Sequence, residues 1–315
     1  MFREMAIIEP INVDQGSRDR LKGYAEDVRF YSDVPGDDAE IIRRIGSADA
    51  VLLSFTTRIG KQVLDACPNV RYIGMCNSLY SVESANVDIP AARDRGIVVL
   101  GVRDYGDEGV REYVIGELAR FLHGFDGPMW RAEPTEFTDL PVGILGMGTT
   151  GLLLADAFRF FGADVHYYSR TRKPELEAEK GYTFLPLAEL LPKVDILCTC
   201  LNKNVILLHR EEFELFGNGK IIVNTSIGPG HDVPALLEWL DAPGEPGNYI
   251  FSDTYPGIDP AGKESAAARH PHAFCVGKSA GLSSLSRQRL GRKVIENIES
   301  FLADPSGVLL SSLPN

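Results

Sequence analysis

Six residues, Gly146, Met147, Gly148, Thr149, Thr150 and Gly151, carry the most specific chemical signal in the chain. They follow the apolar run VGIL and lead into LLLADAFRFFG, so the glycine-rich turn lies between a buried strand and a helix. In that setting G-x-G-x-x-G serves a dinucleotide. The first glycine permits a tight turn, the second lets a pyrophosphate approach the backbone, and the third lets helix and strand pack closely. Free N–H groups at the helix start then face phosphate oxygens. After the next strand, ADVHYYS, the turn reads Ser169, Arg170, Thr171 and Arg172. An NAD site places a carboxylate about there for the ribose 2′-hydroxyl. Guanidinium instead binds a 2′-phosphate by charge-assisted hydrogen bonds, which predicts NADPH over NADH with Arg170 as the main discriminator.

These residues need two arrays of alternating strands and helices to hold them. In the first hundred residues MAIIEP, DVRFYS, AVLLSF, VRYIGM and IVVLG read as strands, and DDAEIIRRIG, KQVLDAC and IPAARDRG as helices between them. Such alternation implies a parallel sheet with both faces covered. Within residues 107 to 131, VREYVIGELARFLHGF reads as one long helix whose length Pro128 limits, with a wide apolar stripe of Val110, Tyr113, Val114, Leu118, Phe121, Leu122 and Phe125. GPMWRAEPTEFTDLP reads as loop, and the glycine turn opens a second array continued by VDILCTC, GKIIVNT, YIFSD and AFCVG with helices REEFELFG and DVPALLEWLD. Capping serines in LSSLSRQR open a final amphipathic helix ending at SFLA. The expected fold class is α/β, with two Rossmann- or flavodoxin-like domains built on parallel sheets.

Bulk composition narrows the partners. A chain of 315 residues suggests two domains, and 44% hydrophobic with 24% charged residues is ordinary for a globular protein. The net charge of −12 opposes binding to nucleic acid or an anionic membrane surface. Five scattered cysteines argue for a reducing compartment. No apolar run suits a membrane span and MFREMAIIEP does not suit a signal peptide, so a cytoplasmic place is expected. Cys198 and Cys200 alternate on a buried strand without further ligands at zinc spacing, and His270 and His272 are only two, so no metal is expected.

The order of parts, and five landmarks within it, resemble the D-isomer-specific 2-hydroxyacid dehydrogenases. VLDACPNVRYIGMC, NVDIPAARDRGIVVLGV, VREYVIGELARFL, the glycine loop with KIIVNTSIG, and FSDTY occur in the family's order, over about residues 50 to 300. The resemblance implies a substrate domain of residues 1–108 plus 283–315 and a nucleotide domain of 109–282, with the active site in a cleft between them. It implies a homodimer built on the nucleotide domain and its long helix. Further cofactor contacts are implied at Cys200, Leu201, Thr225, Ser226, Ile227, Asp253, Lys278, Ala280 and Gly281, and substrate contacts at Asn77, Ser78, Leu79 and Tyr80.

The family's catalytic set does not carry over. Its carboxylate-binding Arg belongs in N-T-x-R-G, where this chain has Asn224, Thr225, Ser226, Ile227 and Gly228. Its Glu falls on Ile258, with Asp259 one step on, and its His falls on Lys278. Isoleucine cannot pair with a carboxylate, so a simple 2-keto acid loses its bidentate anchor. Lys278 is then the candidate proton donor for a carbonyl or imine reduced by NADPH, with Asp259 and His231 of IGPGHD as further candidates. One alternative keeps an ordinary 2-keto acid and moves the anchor to Arg58 or Arg103, with Tyr80 and Tyr105 near substrate. Another is a catalytically silent nucleotide-binding protein.

Overall fold

The computed structural model describes residues 1–203 and 205–305. The chain divides into two compact units, one formed by Met1–Gly106 with the chain from Leu282 onward, the other by Asp107–Gly281.

In the first unit, strands and helices alternate as β1 (Phe2–Ile7), α1 (Gln15–Leu21), β2 (Ala25–Phe30), α2 (Asp38–Ile45), β3 (Ala50–Leu53), α3 (Lys61–Ala66), β4 (Tyr72–Ser78), α4 (Ile89–Arg93) and β5 (Val98–Val102). Their sheet is wholly parallel, in the order β2-β1-β3-β4-β5. That is the flavodoxin-like order, whose direction reverses between β1 and β3. The AVLL of β3 is buried on both faces, as a central parallel strand must be. Ile41, Ile45, Val63, Leu64, Ile89 and Ala92 cover one face. The other is covered from the chain's far end.

The second unit begins with α5 (Asp107–His123) and continues through β6 (Pro141–Leu145), α6 (Thr149–Phe160), β7 (Asp164–Tyr168), α7 (Pro174–Lys180), β8 (Thr183–Phe184), α8 (Leu187–Lys193), β9 (Ile196–Thr199), α9 (Arg210–Phe216), β10 (Ile221–Asn224), α10 (Val233–Leu240), β11 (Tyr249–Ser252) and β12 (Ala273–Cys275). Its parallel sheet runs β12-β11-β10-β9-β6-β7-β8. This is the Rossmann order with one added strand, and it reverses between β6 and β9. The helix α11 (Ser284–Ala303) then returns to the first unit, where Leu290, Val294, Ile298 and Phe301 form one apolar face. Phe301 stacks on Phe2 at 5.6 Å and lies against Tyr72.

Side chains fix where helices start. Asp14, Asp37, Asp88, Asp232 and Ser283 each accept a backbone N–H in the first turn of α1, α2, α4, α10 and α11. The long helix is shorter than its sequence suggests. It ends at His123 because Gly124 takes a left-handed conformation (φ +69°). Val114, Leu118, Phe121 and Leu122 are buried as the stripe requires, but Phe125 lies beyond the stop, 58% exposed and stacked on His123. The following loop is not merely polar. Trp130 and Phe137 are buried, and the Trp130 indole N–H donates to the Gly219 carbonyl at 3.2 Å. The helices α1, α7 and α8 have no counterpart in the sequence reading.

Candidate functional site

At the reversal point of the second sheet, β6 turns through the glycine loop into α6. Gly146 sits at φ +96°, and a Cβ there would lie 2.4 Å from the Cys200 carbonyl oxygen at the end of β9. A Cβ on Gly151 would lie 2.0 Å from the Gly146 carbonyl. Backbone occupies both places, so only glycine fits. Gly148 is different: a Cβ there would meet nothing within 4 Å. It stands at the start of α6 with no side-chain cap, whereas five other helices have one. An open backbone and uncapped N–H groups at a helix start fit a pyrophosphate. Met147 turns into the core, Thr149 is exposed, and the Thr150 hydroxyl donates to the Asp107 carboxylate at the head of α5. Asp107 had no signal in the sequence. Only the packing of α5 against α6 brings it to the loop.

The basic turn after β7 separates its two arginines. Arg172 grips Glu177 with Nε and Nη2, at 2.8 and 2.7 Å, and Glu177 also accepts from the Tyr167 hydroxyl at 2.9 Å. These bonds hold the Glu177 carboxyl below the usual carboxylate range, with Arg172 the main cause. Arg170 is exposed and has no ion-pair or hydrogen-bond partner among the described residues. The Ser169 hydroxyl donates to the Thr171 carbonyl, which shapes the turn.

Behind the loop, the ends of β9 and β10 are tied together. Asn224 is fully buried; its amide donates to the carbonyls of Gly228 (2.9 Å) and Gly257 (2.6 Å), and its oxygen accepts from the Thr199 hydroxyl. Thr225 donates to the Thr199 carbonyl at 2.8 Å, and the Leu201 N–H donates to the Ser226 hydroxyl at 2.9 Å. Burial pushes the Cys200 thiol up to about 12, so it stays protonated and unreactive. Ile227 emerges from this tied segment 57% exposed, just before Gly228.

The ends of β11 and β12 are stapled in the same way. The Lys278 N–H donates to the Asp253 carbonyl and the Ala280 N–H to the Asp253 carboxylate, both at 2.8 Å. Burial raises the Asp253 carboxyl above its ordinary value, against the hydrogen bond from Ala280. The Lys278 side chain is exposed, not walled in, and has no ion-pair partner among the described residues. Gly281, the last residue of the unit, is half-buried.

Of the two further candidate acids, Asp259 is partly exposed and His231 is sealed. Ile258 is fully buried in the core, and Asp259 beside it accepts the Ala261 N–H at 2.8 Å, capping a turn. His231 is 0% exposed, and its Nε2 meets the Ile258 carbonyl at 2.9 Å. That bond requires the proton on Nε2, leaving Nδ1 buried without a partner. Burial lowers the His231 pKa. A sealed neutral ring joins β10's loop to the turn at Ile258, and this corrects the expectation of a loop histidine poised to donate a proton.

The first unit, taken by itself, holds the loop 77–80. Leu79 is buried, its N–H donates to the Val102 carbonyl at 3.1 Å, and its carbonyl accepts from the Arg103 Nε at 2.7 Å. Arg103 also reaches the Tyr80 carbonyl and lies over the Tyr80 ring at 5.3 Å. Two of its five N–H donors are thus bonded to the loop, on an exposed side chain. Arg58 is exposed, with no ion-pair partner among the described residues. Asn77 is buried, Ser78 ends β4 half-buried, and the Tyr105 carbonyl accepts from Arg289 on α11.

Residues 124–248 match the family described as D-isomer specific 2-hydroxyacid dehydrogenase, NAD binding domain. A hydroxypyruvate reductase of Blautia hydrogenotrophica is 27% identical over 288 residues, which cover 84% of this chain and 86% of the relative. A glyoxylate reductase of Pyrococcus horikoshii is 28% identical over 236 residues, 67% of this chain and 70% of the relative. The apo-structure of D-lactate dehydrogenase from Escherichia coli aligns with a TM-score of 0.76 at 20% identity, over 96% of this chain and 97% of that one, a likeness of fold. Among the described residues, no helix is long and apolar enough to cross a membrane, and no group of His, Cys, Asp and Glu could hold a metal ion.

Proposed function

From the premise that the chain belongs to the D-isomer-specific 2-hydroxyacid dehydrogenase family and is an NAD(P)-dependent oxidoreductase, we propose that it prefers NADPH and reduces a carbonyl or imine without the family's carboxylate clamp. In this reading the unit from Asp107 to Gly281 binds the nucleotide and the loop 77–80 of the other unit meets substrate. The protein acts as a cytoplasmic homodimer. Arg170 takes the 2′-phosphate, since Arg172 is already held by Glu177. Bound NADPH supplies the hydride. Lys278 supplies the proton to the carbonyl oxygen or imine nitrogen, and its ammonium stabilises the charge that develops there. Ile227, exposed where the family places Arg, offers apolar surface to the substrate.

The observation that carries the reading is at Lys278, whose backbone is fixed to Asp253 while its ammonium has no ion-pair partner among the described residues. The test compares NADPH oxidation by the wild type and Lys278→Ala on glyoxylate, hydroxypyruvate, carboxylate-free aldehydes and cyclic imines. Loss of an acid in this role lowers kcat by roughly 100-fold or more. Turnover undiminished in Lys278→Ala removes the lysine from the mechanism.

A second reading has one observation in its favour. Neither Arg58 nor Arg103 has an ion-pair partner among the described residues, but Arg103 gives two donors to loop carbonyls and Arg58 gives none, so Arg58 is the better relocated anchor for a 2-keto acid. Activity confined to glyoxylate and hydroxypyruvate, with KM raised at least tenfold by Arg58→Ala, would select it over the clamp-free substrate.

A further inference from the structure

The C-terminal edge of the five-stranded sheet carries polar side chains that the proposed reduction does not use. Glu9 follows β1, Ser54 follows β3, and Asn77 lies at the end of β4, around the point where strand order reverses. Open parallel sheets take their ligands at that point. Glu9 has no exposed surface, and Ser54, Thr57, Asn77 and Asn86 are 2%, 4%, 8% and 8% exposed.

Their orientations follow from one another. Glu9 Oε1 accepts the backbone N–H groups of Ser54 at 2.7 Å and Thr57 at 3.2 Å. Asn86 Nδ2 donates to the carbonyls of the same two residues, at 2.7 and 2.5 Å. Asn86 Oδ1 must then be an acceptor, and it takes Asn77 Nδ2 at 3.3 Å. Asn77 therefore turns its own oxygen away from that bond, which settles the amide orientation from the network. Four buried atoms of this knot have no hydrogen-bond partner: Glu9 Oε2, Ser54 Oγ, Thr57 Oγ1 and Asn77 Oδ1. All four are oxygens. No Lys, Arg or His pairs with Glu9 among the described residues. Arg44 reaches the adjacent Ile8 carbonyl, but its charge is met by Asp33 and Glu40.

A fully buried carboxylate needs either a proton or a positive charge. Two backbone N–H groups already meet Oε1, so Oε2 is the carboxyl oxygen left for a ligand. One carboxylate with three neutral oxygens suits a single positive charge, whereas calcium takes six to eight oxygens and commonly several carboxylates. We propose that Glu9, Ser54, Thr57 and Asn77 form a binding site for a small monovalent cation, either an alkali ion or the ammonium group of a ligand. Occupancy ties Asn77, at the head of the loop 77–80, to the end of β1.

Thermal denaturation of the full chain tests this without any substrate. Sodium, potassium, ammonium, methylammonium and tetramethylammonium chlorides are compared at one ionic strength. A small cation is expected to raise the midpoint saturably by about 2 °C or more above tetramethylammonium. Protection by sodium or potassium assigns a free ion; protection by ammonium and methylammonium alone assigns an amino group. Glu9→Gln is expected to abolish the difference between salts, and Thr57→Val, which keeps the shape and removes one oxygen, to weaken the cation's apparent affinity several-fold. Equal midpoints in all five salts for the wild type overturn the proposal, as does a cation effect that persists in both variants.

Discussion

The two sheets finish their C-terminal edges in opposite ways. In the second unit Gly148, Arg170, Ile227 and Lys278 face outward from segments whose backbones are tied down, and the two cationic side chains are unpaired. In the first unit Glu9, Ser54, Thr57, Asn77 and Asn86 turn inward and bond chiefly to one another and to loop backbone. Both edges lie at a strand-order reversal, so topology alone does not decide how an edge is used. What decides it is whether each polar group's partner is local backbone or is left to come from outside. The first pattern suits an exchangeable ligand. The second suits a small resident group or a rigid loop base.

The largest effects should separate steric need from ligand need within one loop. Gly151→Ala places a Cβ 2.0 Å from the Gly146 carbonyl, so β6 and α6 must move apart. A loss of about 3 kcal/mol in stability and at least 100-fold in nucleotide affinity is expected. Gly148→Ala meets no protein atom, so its denaturation midpoint should match the wild type while nucleotide affinity falls roughly tenfold or more. A Gly148→Ala protein that binds NADPH normally would show that the open face of the loop is not a phosphate cradle.

The inward edge should respond the other way round. Asn86→Ala strands the carbonyls of Ser54 and Thr57 and the Asn77 amide, all in buried surroundings. Denaturation should report a loss of about 3 kcal/mol, and nucleotide affinity measured on the folded protein should not change. A fall in affinity would mean that the two edges are coupled, and the contrast between them would fail.

Within the basic turn the same logic applies to two neighbours. Arg170→Asp is expected to weaken NADPH by roughly 10- to 100-fold and leave NADH nearly unchanged, because it replaces an uncommitted guanidinium with a like charge. Arg172→Ser instead breaks the pair with Glu177, which is exposed on the arginine side, so both nucleotides should change by less than about threefold. Equal nucleotide preference in Arg170→Asp and the wild type would remove the 2′-phosphate assignment.

How far the sequence reaches follows the same divide. The glycine turn, the strands around it and most helices were readable because each depends on local pattern: apolar runs, glycine spacing, capping aspartates. The end of α5 differs from the pattern because Gly124, four residues before Pro128, stops the helix first. The helix α7 carries no apolar signal because PELEAEK has no buried residue, and α8 is short and contains Pro192. Ile227 and Lys278 could be placed by alignment to a family pattern. Glu9 could not, because in MAIIEP it reads as the polar end of a strand, and its donors lie 45 and 48 residues further along the chain. Asp107 and Thr150 are likewise joined only by helix packing.

The smallest expected effect lies at the buried His231. Its ring is neutral in the folded chain, donating from Nε2 to the Ile258 carbonyl, with burial as the main cause of its lowered pKa. A histidine that binds its proton more weakly folded than unfolded contributes its full stability above the ordinary value of 6.5. That contribution is lost as the pH falls from 6.5 toward the folded value, with a slope of at most about 1.4 kcal/mol per pH unit. His231→Gln keeps an N–H donor for the Ile258 carbonyl and cannot titrate. Urea denaturation at pH 8, 7, 6 and 5.5 should therefore show two proteins whose stabilities run parallel above pH 7 and converge or cross below 6.5, the wild type falling faster. Parallel behaviour over the whole range would mean that the ring takes up a proton without opening its pocket. His231 would then return as a candidate acid.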